Sequence, residues 1–326
     1  MKIIKNISVF DTSIATQNVG DEIIMDAVYN ELHEVFNEAM FLKIPSHEVI
    51  GISSLSLIRH SEFGIVGGSN ILSSSMNKYK QWRISLLQSF LIKNKALLLG
   101  VGWRNYQQKP NLVTRKLLKN LLNKEYLHSV RDSYTEKKLK EEGFENVINT
   151  ACPTMWRLTA EHCAKIPSQK SDTVVFTLTD YSKDQVSDSF LVNTLLANYK
   201  EVYYWVQSRK DLIYLTEIGF NDGNIKIIPP TLRAYTQFLE SHDCDYIGTR
   251  LHGGIRALQR KKRTIIIGVD NRAIEKKKDF NLNVLERNEL EGKLNSLLNS
   301  EFQTEVKIPV ENIAKWKNQF KTHIQK

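Results

Sequence analysis

Short runs rich in β-branched and aliphatic residues alternate with helix-period stretches along this chain, and the alternation runs through two rounds. That rhythm predicts α/β structure with parallel strands. The first round reads as strand Ile3–Phe10, helix Asp21–Phe36, strand Phe63–Val66, helix Trp82–Lys93, strand Ala96–Leu99, helix Leu112–Leu122, strand His128–Val130, helix Tyr134–Glu142 and strand Val147–Ile148. The segment Cys152–Ser171 carries Pro153 and Pro167 and no clean period, and marks a domain boundary. The second round has strands at Thr173–Thr179, Val202–Val206, Ile225–Ile228, Asp245–Gly248 and Thr264–Gly268, with helices between them. Helices near Leu290–Leu298 and Ile313–Ile324 finish the chain. The expected architecture is two doubly wound Rossmann-like domains facing a cleft: an N-terminal α/β domain over 1–155, a C-terminal one over 170–285, and C-terminal helices over 286–326. In such sheets ligands bind beyond the carboxyl ends of the strands.

The 326 residues, 41% hydrophobic and 25% charged, are globular in balance, which excludes disordered and low-complexity classes. Three cysteines (Cys152, Cys163, Cys244) form no CxxC pair and give no disulfide framework, as in a reducing compartment. The N-terminus lacks the apolar stretch of a signal peptide, and no apolar run approaches the roughly 20 residues that cross a bilayer, so a soluble cytoplasmic protein is expected. The net charge of +9 is concentrated: Arg250 to Lys278 holds ten basic residues against Asp270 and Glu275, and the remainder sums close to balance. Such a stretch favours an anionic partner or serves as a solvated face.

Several strand ends carry small, polar, glycine-rich loops: Asn18-Val19-Gly20-Asp21, Gly67-Gly68-Ser69-Asn70 and Gly100-Val101-Gly102. Glycine permits sharp turns and close ligand approach, and N–H groups at a following helix start attract anions or hydroxyls. Asp21 reads either as a helix cap or as a carboxylate able to take a proton from a hydroxyl. The sharpest cluster is Thr249-Arg250-Leu251-His252-Gly253-Gly254, between a strand and a helix. Arg250 offers a planar fork of donors for a carboxylate or phosphate, His252 can move a proton near neutral pH, and the glycines remove side chains that would crowd a ligand. Arg131, in Ser129-Val130-Arg131-Asp132, ends another strand; Asp132 or Glu136 could equally hold it as a structural partner. Walker A, HExxH, GxSxG, Cys/His metal spacing and a full GxGxxG after the first strand are absent. His60, His128, His162 and His242 stand without metal-like neighbours and read as ordinary.

Together these pieces, with Gly143 after the helix that follows Arg131, resemble the polysaccharide pyruvyl transferase family over Ile14 to Gly268. The resemblance implies a two-domain fold similar to the B-type glycosyltransferases, phosphoenolpyruvate as donor, a pyruvyl ketal placed on a sugar of a polysaccharide or lipid-linked saccharide, and no metal or cofactor. Arg250, Leu251, His252 and Gly253 match its donor-binding positions, Arg250 and His252 its catalytic ones, and Arg131 its other donor-binding arginine. Asn18, Gly20, Gly67, Gly68, Ser69, Asn70 and Gly102 are then loops of the acceptor side or of the cleft. The chain departs from many members in having Ser69 for a third glycine and Cys152-Pro153 for an Asp-Pro pair. A helix start and Arg250 both favour neutral imidazole, so His252 would act as an acid only with a bound phosphate beside it.

One rival reading is a nucleotide-sugar glycosyltransferase on the same fold. Another is a basic nucleic-acid binder, supported only by Arg260-Lys261-Lys262-Arg263 and Lys276-Lys277-Lys278; no nucleic-acid motif accompanies them, so nucleic acid is not the expected partner. Ile313, Trp316, Phe320 and Ile324 share one helical face, with Lys315, Lys317 and Lys321 elsewhere. That pattern fits either packing on the body of the protein or peripheral contact of the basic C-terminal region with the inner face of a membrane.

Overall fold

The computed structural model describes residues 5–221 and 223–321. Ile3, which opens the first expected strand, and Ile324, at the end of the last expected helix, lie outside the described residues. In chain order the elements are β1 (Asn6–Asp11), α1 (Val19–Val35), β2 (Met40–Pro45), α2 (Ile52–His60), β3 (Gly64–Gly67), α3 (Leu86–Leu91), β4 (Ala96–Leu99), α4 (Leu112–Leu121), β5 (His128–Val130), α5 (Ser133–Glu141), β6 (Val147–Asn149) and α6 (Ala160–Cys163), then β7 (Thr173–Thr177), α7 (Gln185–Asn198), β8 (Glu201–Trp205), α8 (Arg209–Glu217), β9 (Lys226–Ile228), α9 (Leu232–Ser241), β10 (Asp245–Gly248), α10 (Leu251–Gln259), β11 (Thr264–Gly268), α11 (Asn271–Phe280), β12 (Val284–Glu286), α12 (Leu290–Asn299) and α13 (Val310–Asn318). The chain forms two compact units. The first takes the chain up to Thr16, Ile24–Trp156 and the chain from Ile308; the second takes Gln17–Ile23 and Arg157–Lys307.

In the first unit the parallel order is β2-β1-β3-β4, and a parallel bridge between Val101 and Val130 sets the β5-β6 pair beside β4. In the second unit a six-stranded parallel sheet runs β12-β11-β10-β7-β8-β9. Central strands such as β4 and β11 are buried along their whole length, which is why they read as unbroken apolar runs rather than as alternation. Each Ile or Leu so buried contributes about 1.5–3 kcal/mol. Polar side chains start the helices: Asn111 accepts from Thr114 N, Asp184 from Ser187 N, Thr231 from Ala234 N and Asp270 from Arg272 N.

Two expectations change. The helix expected from Trp82 begins only after Ser85, which forms a reciprocal capping box with Gln88; Trp82 and Ile84 are buried ahead of it, and Trp82 meets Phe10 edge-on at 5.3 Å. The C-terminal helices divide: α12 packs on α7 in the second unit, and α13 belongs to the first. There Trp316 packs edge-on to Trp156, Phe320 lies 4.7 Å from Phe36, and Lys317 pairs with Glu31. Ile313, Trp316 and Phe320, three of the four residues of the expected apolar face, are therefore core. Among the described residues no helix is long and apolar enough to cross a membrane.

Candidate functional site

The strand order of each sheet reverses at one point, and residues with chemistry gather at the carboxyl ends there. In the second unit the reversal falls between β7 and β10. Thr179, Gln207, Arg250 and Asp270 each stand two residues beyond the end of β7, β8, β10 and β11. Gly248 is required by contact: a Cβ there would lie 2.5 Å from Thr177 Oγ1. The backbone then passes along β7, with Thr249 N donating to Thr177 O (3.0 Å) and Arg250 N to Thr177 Oγ1 (3.2 Å).

Arg250 precedes α10 without capping it, and its guanidinium turns back across the strand ends. Nε donates to Leu178 O (3.2 Å) and Asp211 Oδ2 (3.1 Å). Nη2 donates to Asp180 Oδ1 (2.9 Å) and closely to Asp211 Oδ1. Its head lies over the Tyr181 ring at 5.0 Å, and Arg272, held by Asp270, lies over the same ring at 5.5 Å. Two guanidinium groups thus share the neighbourhood with three carboxylates. Burial pushes the Asp211 carboxyl up to about 6 against the opposing pull of Arg250. Desolvation opposes the charge of Arg250 too, but Asp211, Tyr181 and Asp180 outweigh it and hold the guanidinium firmly protonated.

His252 is the second residue of α10 and is buried. The glycines after it are closely packed. A Cβ on Gly253 would meet Gln207 Nε2 at 2.7 Å and Tyr246 Oη at 3.0 Å, and one on Gly254 would meet Ile266 at 2.6 Å.

Gln207 escaped the sequence reading. Its carbonyl accepts from Val19 N (3.0 Å), and its Oε1 lies 3.1 Å from where a Gly20 Cβ would sit. The segment Asn18-Val19-Gly20-Asp21 is therefore grouped with the second unit and not with the glycine loops of the first sheet. Asn18, and not Asp21, starts α1, its Oδ1 accepting from Gly20 N (3.0 Å); Asp21 is buried in the first turn. Gln207 is buried, and its Nε2 has no hydrogen-bond partner among the described residues. A buried orphan donor costs about 1–3 kcal/mol. Gln207→Leu is therefore expected to keep or raise the melting temperature while lowering turnover at least roughly tenfold, the effect of one lost ligand hydrogen bond. Unchanged turnover would remove Gln207 from the site.

In the first unit, loops 67–70 and 100–102 lie side by side, with Gly68 N donating to Leu99 O (2.7 Å) and Gly102 N to Ser69 O (2.9 Å). Gly68 and Ser69 both adopt positive φ, 55° and 65°, which accounts for the preference for glycine at the position Ser69 fills. A Cβ on Gly68 would meet Ile24 Cγ2 at 2.2 Å, and one on Gly100 would meet Pro153 Cδ at 2.2 Å. Asn70 follows with its Oδ1 buried and unpaired among the described residues. Arg131 leaves β5 at this same edge. Its Nε donates to Asp132 (2.8 Å), Nη2 to Trp103 O (3.2 Å), and Asp132 also caps α5 through Thr135 N. The structural partner expected for Arg131 is present.

Three of the histidines read as ordinary bond to backbone: His60 to Ser56 O, His162 to Leu258 O and His242 to Phe238 O. His128 is bonded to Asn123 O and Leu98 N, and burial pushes it down to about 4, so it is neutral. The basic stretch Arg250–Lys278 is largely consumed internally. Arg263 pairs with Asp245 inside the unit, Arg260 with Glu240, Arg272 with Asp270 and Lys277 with Glu286, while Lys276 is buried.

The family model for polysaccharide pyruvyl transferase matches residues 18–271, most of the chain. Among curated proteins none matches it. Among solved structures, a UDP-GlcNAc 2-epimerase of Methanocaldococcus jannaschii, in complex with UDP-GlcNAc and UDP, is similar with a TM-score of 0.57 at 12% identity, covering 99% of both chains. A protein described as a UDP-N-acetylglucosamine 2-epimerase from Listeria monocytogenes is similar with a TM-score of 0.52 at 11% identity, covering 97% of this chain and 91% of its own. At such identities the likeness shows the fold, which is like that of the B-type glycosyltransferases.

Proposed function

Because this chain belongs to the polysaccharide pyruvyl transferase family, we propose that it moves the pyruvyl group of phosphoenolpyruvate onto two hydroxyls of a sugar in a polysaccharide or its precursor. The observation that carries this reading is that the family match includes Arg250-Leu251-His252-Gly253 where α10 opens, at the reversal point of the second sheet. The donor presents a carboxylate and a phosphate on a three-carbon enol. Arg250 is our donor-binding group in the second unit, with Leu251, His252 and Gly253 beside it; Arg131 is a second donor-binding arginine by its family position. Loops 67–70 and 100–102 are assigned to the acceptor.

In the proposed reaction His252 gives a proton to the methylene carbon while a sugar hydroxyl adds to the adjacent carbon, its proton passing to a base for which Asp21 is the candidate. The carbon–oxygen bond to phosphate then breaks and phosphate leaves with the bonding pair. A second hydroxyl of the same sugar adds to the cation left behind and loses its proton, closing the ketal. The double bond has become one C–H and one C–O bond, and the second C–O bond replaces the one lost to phosphate.

Phosphate release from phosphoenolpyruvate that depends on added glycan is the expected result, and His252→Ala should lower it by roughly 100-fold or more. Phosphoenolpyruvate at 100 times its dissociation constant should add about 2.7 kcal/mol of stability. Stabilisation by a nucleotide sugar with none by phosphoenolpyruvate would overturn the assignment in favour of a glycosyltransferase.

A further inference from the structure

The near balance of charge outside Arg250–Lys278 conceals a cancellation. From Phe63 to Lys124 there is no Asp or Glu, against eleven basic residues: Lys78, Lys80, Arg83, Lys93, Lys95, Arg104, Lys109, Arg115, Lys116, Lys119 and Lys124. Eight of the eleven are exposed. Only Arg115 sits within ion-pair distance of a carboxylate among the described residues, that of Glu142 at 2.9 Å. The contrast with Arg250–Lys278, whose charges are mostly buried or paired, is direct.

The same acid-free segment carries α3 and α4, which pack against each other. Asn120 Nδ2 donates to Ser89 Oγ (3.0 Å) and Asn94 N to Asn120 O (2.7 Å). The exposed side of α3 is apolar, and that of α4 is apolar in its first turn and carries Lys116 and Lys119 after it. Leu87 is 72% exposed and Leu112 80%, with Phe90, Leu91 and Val113 also uncovered. On α3, Leu87, Phe90 and Leu91 fall at i, i+3 and i+4 and so share one side. Lys116 of α4 reaches over the Phe90 ring at 5.4 Å, so cationic and apolar groups occupy one continuous surface.

A polyanion alone does not require uncovered leucines, and an ordinary protein partner does not require eight exposed cationic side chains, none of them in an ion pair among the described residues. A bilayer surface bearing anionic headgroups uses both, since lysines meet the headgroup charge while short apolar side chains enter the acyl boundary. We infer that the α3–α4 face of the first unit docks on an anionic membrane surface. This does not rest on the transferase reading.

Flotation of the full chain with vesicles tests it. With vesicles containing about a third phosphatidylglycerol the protein should float, and with pure phosphatidylcholine it should not. The variant Lys93→Glu/Lys116→Glu/Lys119→Glu should lose binding by at least roughly tenfold. Leu87→Asn/Phe90→Asn should retain binding in low salt and lose it in high salt, where the apolar contribution must hold alone. All these side chains are exposed, so unchanged melting temperatures are expected; where one variant fails to fold, the other decides. No binding to the anionic vesicles would overturn the inference. Flotation that neither variant reduces would do the same, as would preferential binding to duplex RNA that competes the vesicles away.

Discussion

Replacing Arg250 by alanine is expected to cost about 3–5 kcal/mol of folding stability at pH 8, and to abolish stabilisation by the donor. The guanidinium is the cationic partner of Asp211, whose side chain is almost wholly buried, and it also binds Asp180. Removing it leaves a carboxylate charged in a site with little water. The effect has a defined pH dependence. The Asp211 carboxyl is raised to about 6, above its unfolded value near 3.9, so the native state holds this proton more tightly than the unfolded chain. Its stabilising contribution is full below about pH 4 and is lost as pH rises through about 6. Without Arg250 the carboxyl rises further. The variant should then lose at least ~1.4 kcal/mol more at pH 8 than at pH 5, which corresponds to a roughly tenfold tighter hold on the proton. Urea denaturation at the two pH values measures this, and a cost under about 1 kcal/mol at both would show that the pair does not carry the load described.

The same pair bears on donor binding. In the absence of ligand Arg250 is already neutralised by carboxylates, so an incoming anion must compete with Asp211 for it. Protonation of Asp211 resolves the competition. Donor affinity is therefore expected to improve as pH falls toward 6, with proton uptake on binding visible as buffer-dependent heat in calorimetry. Arg250→Met/Asp211→Leu separates the two roles. It replaces the pair by apolar groups of similar volume, should recover most of the stability, and should still fail to bind phosphoenolpyruvate. Donor binding by that stable double variant would exclude Arg250 as the anion's partner.

How much of the fold and site is legible in the sequence depends on whether the information is local. β4 and β11 occupy the residues that the apolar runs indicate, because a central parallel strand writes its burial on both faces directly into sequence. β2 escapes such a reading because Met-Phe-Leu-Lys-Ile-Pro pairs on one side only and is mostly half-exposed. α11 escapes it because Asn-Arg-Ala-Ile-Glu-Lys-Lys-Lys-Asp-Phe reads as a charge run; its burial of Ala273 and Phe280 is too sparse to show a period. The partner of Arg131 is its chain neighbour and is visible in the sequence. The partners of Arg250, Asp211 and Asp180, lie 39 and 70 residues away and carry no local sign. Gln207 does carry one, its place two residues past a strand end, the place Arg250 holds after β10. The acid-free segment is visible as well, and is lost only when it is summed with acidic flanks.

Gly102→Ala is expected to disable the first unit's arginine without replacing it. Gly102 has no positive φ to explain it, so the requirement for glycine comes from contact alone. A Cβ there would lie 2.0 Å from both Cζ and Nε of Arg131 and 2.6 Å from its Cδ. The clash is with the stem as well as the tip, and the tip is pinned by Asp132 and Trp103 O, so a small rotation does not relieve it. Arg131 must leave, which breaks a buried ion pair at a cost of about 3–5 kcal/mol, reduced to the extent that the displaced guanidinium reaches water. Gly143→Ala is the control. It imposes strain at φ +88° but meets nothing within 4 Å, so its cost should stay near 1–2 kcal/mol with activity retained. Arg131→Ala removes the obstacle. In the double variant the Gly102 substitution should then cost almost nothing further, a coupling of more than about 1 kcal/mol between the two sites. Additive stabilities would mean that the glycine does not make room for the arginine. If the coupling holds, and glycan-dependent phosphate release falls as far in Gly102→Ala as in Arg131→Ala, the glycine acts on turnover by placing the guanidinium.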